Sequence, residues 1–321
     1  MKAWQRFWFA PASTTGLGLL RIAFGLVVLG WTLSLAPDVG VWFGPQGLMP
    51  YQPRQPWTLT LLGTHAPMAL VLALYIVLIV ASLCLTVGLG TRVASVLVWL
   101  LVLSFCRRNP TILNAGDDLV RIDAFLLMLA PAGAALSVDR WLRHRDRFWQ
   151  APSRALWPVR LIQLQVSAMY LFAVWAKVRG QAWNNGTAVS YAMQMHDIER
   201  FPAPGPFVHN LLLVNLLTYG TLAIEISLVF LVWNRRTRPW VLLAGIALHL
   251  SIEVGILVGF FSIIVIVSYL AFLPPDTADR LVTWTRSAVG QRRRGRLRVD
   301  AATPDVAVQR EPSLGQVPTA Q

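Results

Sequence analysis

The sequence predicts an all-α, polytopic membrane bundle of about eight transmembrane helices with both termini cytoplasmic. Three observations carry this prediction. The 321 residues are 55% hydrophobic and only 13% charged, about half the charge density of a soluble domain. Mean hydropathy is +0.55. The apolar residues also gather into runs long enough to cross a hydrocarbon core, which takes about 20 residues. A net charge of +13 would suggest nucleic acid in a soluble protein. In a chain this apolar it fits the basic loops of a membrane protein, and no nucleic-acid partner is expected. Two cysteines exclude a disulfide scaffold or a cysteine-rich metal site, and no metal is expected.

Seven apolar runs follow in order, near 16–36, 66–89, 91–106, 119–136, 156–176, 209–233 and 239–273. The last has 35 residues, about 52 Å as one helix at about 1.5 Å per residue, which is too long for one crossing. Gly255 and Gly259 divide it at a tight turn, which gives eight spans. The start Met1-Lys2-Ala3-Trp4-Gln5-Arg6 is short and basic. The first run is long enough to stay as a span, so no cleavable signal peptide is expected. With eight spans, nineteen of the 28 basic residues fall on the side of the termini and six on the other. The positive-inside rule makes the richer side cytoplasmic, in a multi-pass protein of the plasma membrane. Two outer loops are substantial: Pro37 to His65, and Arg179 to Phe207, where Trp183 to His196 predicts an interfacial helix. Residues 1–275 form the membrane domain and 276–321 a basic cytoplasmic tail. Its Arg292-Arg293-Arg294 cluster reads as a positive-inside stop, and 288–321 is expected to be disordered.

Ionisable side chains within spans are costly and generally face a bundle interior or a watery cavity. Asn114, Asp117, Asp118, Arg121 and Asp123 gather at the outer end of the fourth span. Lys177 ends the fifth span outside, and the seventh carries His249 at mid-depth and Glu253 in its outer third. His249 and Glu253 are four apart and share a helical face, as do Asp117 and Arg121. One sign-balanced polar set is therefore expected in the outer half of the bundle. Glu225 and Arg21 lie deeper, where a buried structural pair explains them. Lys177 stands out because the chain holds 26 arginines and only one other lysine, Lys2. A lysine can lose its proton when desolvated and act as a base, whereas arginine effectively cannot. The structural alternative is a snorkelling lysine at a helix end.

Other motifs are weak. The chain has no Walker loop, GxGxxG turn or HExxH motif. His144, His196 and His209 lack ligand spacing, and Asn185-Gly186-Thr187 reads as a turn rather than a glycosylation site. Cys84 and Cys106 fall at different depths, which argues against a disulfide.

Several separated stretches share an order with a known family. They are Trp42-Phe43-Gly44-Pro45-Gln46-Gly47-Leu48-Met49-Pro50, Asn114-Ala115-Gly116-Asp117, and Ala176-Lys177-Val178-Arg179-Gly180 with Trp183. Trp233-Asn234-Arg235-Arg236-Thr237-Arg238, His249-Leu250 and Phe272-Leu273-Pro274-Pro275 follow. Over about residues 4–275 the chain resembles the HTTM family, the membrane domain shared with vitamin K-dependent gamma-carboxylase. In that enzyme a lysine at this helix end deprotonates vitamin K hydroquinone, so that oxygen can attack. The resemblance places Lys177 at or beside that position and implies a lumenal active face. It also implies a lipid quinone of the vitamin K hydroquinone type as cofactor. The expected catalytic set is Lys177 as base, with Asp117, His249 and Glu253 orienting or tuning it. Asn114, Arg121 and Trp183 are the expected cofactor contacts. The expected function is lipid-quinone-linked oxidation or peptide modification at an outward-facing cavity. Its partners would be membrane lipids and a peptide or small lipophilic substrate. The alternative is a non-catalytic assembly partner or small-solute carrier whose buried charges are structural.

Overall fold

Helices occupy all the apolar runs. A computed structural model describes residues 2–49 and 58–287, and its eight principal helices follow the sequence order. They are α1 (Thr15–Ser34), α2 (Met68–Val87), α3 (Thr91–Arg108), α4 (Ala115–Met128), α5 (Trp157–Val178), α6 (Leu211–Phe230), α7 (Arg238–Gly255) and α8 (Phe261–Ser268). Four stretches are long and apolar enough to cross a membrane: Thr15–Phe43, Met68–Val87, Trp157–Val178 and Leu211–Trp233. The helix pair Phe261–Phe272 and Pro275–Ser287 is a fifth candidate. The chain is thus a mostly helical, multi-pass membrane protein. The remaining principal helices do not reach the same length and hydropathy, for physical reasons. α3 carries Arg92, Arg107 and Arg108. α4 has 14 residues, about 21 Å at about 1.5 Å each, against a core of about 30 Å.

The fourth span is expected to reach residue 136, but α4 stops at Met128. Pro131 lies just beyond, and a proline supplies no N–H and clashes with the preceding turn. Broken backbone at membrane depth persists only where protein groups satisfy it. Arg21 does so here. Its guanidinium is fully buried and donates to the carbonyls of Ala132 (3.2 Å), Ala135 (3.4 Å), Leu136 (2.6 Å) and Thr86 (3.5 Å). Arg21 therefore does not pair with Glu225; it fastens the broken end of α4 to α1. Gly88 caps α2 with φ +75°, and a Cβ there would sit 2.8 Å from the Arg21 guanidinium carbon. Only glycine suits both the left-handed conformation and that approach.

At the opposite end of α1 the first loop folds into a short helix, Val39–Phe43. Arg108, 2% exposed, donates to the carbonyls of Phe43 (3.2 Å), Gly44 (3.1 Å) and Met49 (2.7 Å). Asn109 Nδ2 donates to the carbonyl of Trp42 at 2.9 Å. This end of the bundle is called the loop end below. The other is the ribbon end, where β1 (Pro11–Ser13) pairs antiparallel with β2 (Ser153–Ala155), Pro11 opposite Ala155. The ribbon amends the all-α expectation; three-residue strands are too short to show an alternating pattern.

The break in the last apolar run lies where the two glycines placed it. α7 ends at Gly255, and Gly259 takes φ +61°. The segment between them is paired, since Leu257 N donates to the Ile198 carbonyl (2.6 Å) and Arg200 N to that of Gly255 (3.1 Å). The interfacial helix expected over Trp183 to His196 is two short helices, Gln181–Asn184 and Ala188–Met193, interrupted at Gly186 with φ +73°. Cys84 and Cys106 are both free. Contacts divide the chain into Met1–Asp279 and Arg280–Gln321. The disorder expected for 288–321 falls outside the described residues.

The α2–α3 turn is tied to the short helix Val138–Arg143. Asp139 accepts from Gly90 N (2.8 Å), Thr91 N (2.8 Å) and Thr91 Oγ1 (2.7 Å), and so caps α3. Partial burial alone would raise the Asp139 carboxyl, but these hydrogen bonds and the Arg143 charge outweigh it and hold it below its ordinary value. A carboxyl lowered by folding stabilises the fold above its unfolded pKa of about 4, and that stability is lost as pH falls through the folded value. Thermal melts in detergent should therefore show a stability drop below about pH 4 that is smaller in Asp139→Asn.

Candidate functional site

Lys177 sits one residue before the end of α5. Its ammonium forms an ion pair and hydrogen bond with Glu225 of α6 and lies 4.9 Å from the centre of the Trp183 ring. The pair is partly sheltered, with the side chains 24% and 8% exposed. The other carboxylate oxygen of Glu225, Oε2, is buried without a hydrogen-bond partner.

This partnership corrects the depth assigned to Glu225. The sequence places it deep in the sixth span because it stands well inside α6. However, the first turns of α6 run beside the short loop-end helices rather than beside α5. Val189 N donates to Thr218 Oγ1 (3.3 Å), and Tyr219 Oη donates to the Asn184 carbonyl (2.9 Å). α6 thus overhangs the end of α5, and Glu225 comes level with Lys177.

Deeper on the same face of α5 lies a second buried group. Tyr170 is seven residues, about two turns, before Lys177. Its Oη is hydrogen-bonded to His249 Nε2 of α7 (2.6 Å) and to the Tyr269 hydroxyl (2.5 Å). His249 is 2% exposed, the Phe261 ring lies 5.4 Å away, and its Nδ1 is buried without a partner. Gly245 makes the close approach of Tyr269 feasible, because a Cβ there would stand 2.6 Å from the Tyr269 hydroxyl.

The remaining expected residues are spent elsewhere. Glu253 does not join His249; it pairs with Arg200 of the loop layer at 2.7 Å. Asp117 accepts from Trp31 Nε1 (2.6 Å) and, in a capping box, from Asn114 N (2.7 Å). Asn114 Oδ1 in turn accepts from Gly116 N (2.7 Å), so both residues hold the start of α4. Arg121 pairs with Asp118 (2.7 Å) in place of Asp117. The polar set expected as one cluster is therefore several. Trp183 stays with Lys177, His249 joins Tyr170 two turns deeper on α5, while Glu253, Asp117, Asn114 and Arg121 serve other contacts.

The HTTM domain family matches residues 9–277, which is most of the chain. The chain belongs to the HTTM family. This is the family shared with vitamin K-dependent gamma-carboxylase. No curated protein and no solved structure matches the chain. In this HTTM domain, sequence reasoning missed Tyr170, Tyr269 and the role of Glu225. A signal was available for Tyr170: Gln163, Tyr170 and Lys177 recur at intervals of seven, a polar stripe on one face of α5. Gln163 follows the pattern, donating from Nε2 to the Ala271 carbonyl at 2.6 Å.

Proposed function

We propose that this HTTM protein performs proton-abstraction chemistry on a lipid quinol or a peptide at the loop end, with Lys177 as base and Glu225 as its proton partner. In this reading the chain crosses the plasma membrane eight times with both termini cytoplasmic, and the loop end faces outward. The Lys177–Glu225 pair beneath Trp183 carries the reading. Transfer of one proton from Lys177 Nζ to Glu225 converts the ion pair to an amine and a carboxylic acid without changing net charge. The amine can then accept a proton from a substrate O–H or C–H. His249, Tyr170 and Tyr269 form a hydrogen-bonded floor beneath the pair.

A lipid quinone of the vitamin K hydroquinone type would supply acidic hydroxyls and two electrons for the reduction of oxygen. The donor set suits such a group. Lys177 Nζ would meet its polar edge and Trp183 its flat ring, and Glu225 Oε2 and His249 Nδ1, both buried without a partner, are unfilled hydrogen-bonding positions. The test is turnover of a reduced naphthoquinone with oxygen by the full chain in nanodiscs. Lys177→Ala should lower turnover by about 10²-fold or more, the usual range for a lost general base. Lys177→Arg should be equally poor, because arginine keeps its proton. Full turnover by Lys177→Ala would remove the assignment.

A second, non-catalytic reading rests on the same pair, because Glu225 already neutralises Lys177 as a structural ion pair would. It predicts that Lys177→Ala alters stability or assembly and that no quinol or peptide is turned over by the parent protein.

A further inference from the structure

Between α2 and α3 an almost wholly apolar cavity of about 390 Å³ opens on the flank of the bundle. Ile76, Val80, Cys84, Val93 and Leu97 line it, and Leu89 and Gly90 close it at the ribbon end. Its volume lies in the range of small-molecule sites, about 300–1,000 Å³. Val93 is 65% exposed, so the bare protein leaves this apolar wall uncovered.

The closed end is basic. Arg92, in the first turn of α3, neighbours Val93 and is exposed. Arg143 is exposed at the end of the helix that caps the α2–α3 turn, and its charge acts on Asp139. Asp139 is the carboxylate at this spot, and its two oxygens are already taken by Gly90 and Thr91. Arg92 is next in sequence to the lining residue Val93, and Arg143 stands one helical turn after Asp139, which binds the lining residue Gly90. An apolar channel whose closing turn is flanked in this way by basic residues matches a molecule with a hydrocarbon chain and an anionic head. Arginine's planar fork suits phosphate oxygens in particular.

We propose that the α2–α3 groove binds one anionic phospholipid, with an acyl chain along the groove and the phosphodiester at Arg92 and Arg143. A zwitterionic lipid offers the same chain but brings a cationic amine to the arginines. Free glycerol phosphate offers the head without the chain. A second copy of this protein would cover the wall without using either arginine.

Native mass spectrometry of the full chain, released from micelles containing phosphatidylglycerol or phosphatidylcholine, tests this. One phosphatidylglycerol should be retained in preference to phosphatidylcholine by about fivefold per arginine engaged. Arg92→Gln with Arg143→Gln, both at exposed positions, should abolish the preference, and Val80→Trp should abolish retention by filling the groove. In parallel, bimane labelling of Cys84 should slow with phosphatidylglycerol; Cys106 is buried and shielded from the reagent. Equal retention of the two lipids would overturn the proposal, as would an unchanged preference in the double arginine variant. So would equal protection of Cys84 by glycerol phosphate, or a dimer that phosphatidylglycerol does not displace.

Discussion

Lys177→Ala should destabilise the bundle by about 3 kcal/mol, the lower end of what a broken buried pair costs, and by more than Glu225→Ala does. The order follows from what each change leaves behind. Removing the lysine strands the Glu225 side chain, 8% exposed and with Oε2 already unpartnered. Removing the glutamate leaves a lysine 24% exposed, whose flexible stem can carry the ammonium toward water. Removing both should recover much of the loss, since replacing a buried pair with apolar groups is often close to neutral. Thermal unfolding of the four proteins in one detergent gives the coupling energy directly. An Ala variant at Glu225 less stable than that at Lys177 would reverse this account of which charge is trapped.

Arg108→Lys should be nearly as damaging as Arg108→Ala, although it keeps the charge. Three loop carbonyls depend on the guanidinium, from Phe43, Gly44 and Met49. A buried acceptor left unsatisfied costs about 1–3 kcal/mol, so several kcal/mol are at stake. A lysine has three donors at one point and cannot reproduce a fork that spans carbonyls on different residues. Limited proteolysis should cut the first loop faster in both variants, and both should melt well below the parent. Full rescue by lysine would mean that charge, not fork geometry, holds the loop.

Much of the fold was legible in the sequence, because a membrane demands long apolar runs and tolerates few interruptions. Helix placement and the break between Gly255 and Gly259 follow from that demand. Pro131 was a local signal for the end of α4 that the hydropathy run overrode. The compensation for that end was not legible, since it comes from Arg21, more than 100 residues away. The site was half legible. The scarcity of lysine singled out Lys177, and Trp183 does lie against it, whereas His249 contacts Tyr170 of the same helix as Lys177. Pairing by helical spacing failed for His249 with Glu253 and for Asp117 with Arg121. Spacing shows which side chains share a face, but it says nothing of a neighbouring helix with a better partner. Glu225 was assigned the wrong depth because counting residues from a helix start assumes that every helix begins at the membrane surface, and α6 overhangs.

The arginine clasp between α1 and the broken end of α4 also bears on the order of assembly. Arg21 precedes three of its carbonyl partners by 111 to 115 residues. At a synthesis rate of about 5–20 residues per second, α1 waits roughly ten seconds before those acceptors have been made. Thr86 itself follows Arg21 by 65 residues, so for much of that interval the guanidinium has none of its final partners and must stay near water or lipid headgroups. Arg21 lies in the second turn of α1, near the ribbon end, where its long side chain can reach headgroups, and the clasp that joins α1, α2 and the end of α4 closes only after the fourth helix has been made.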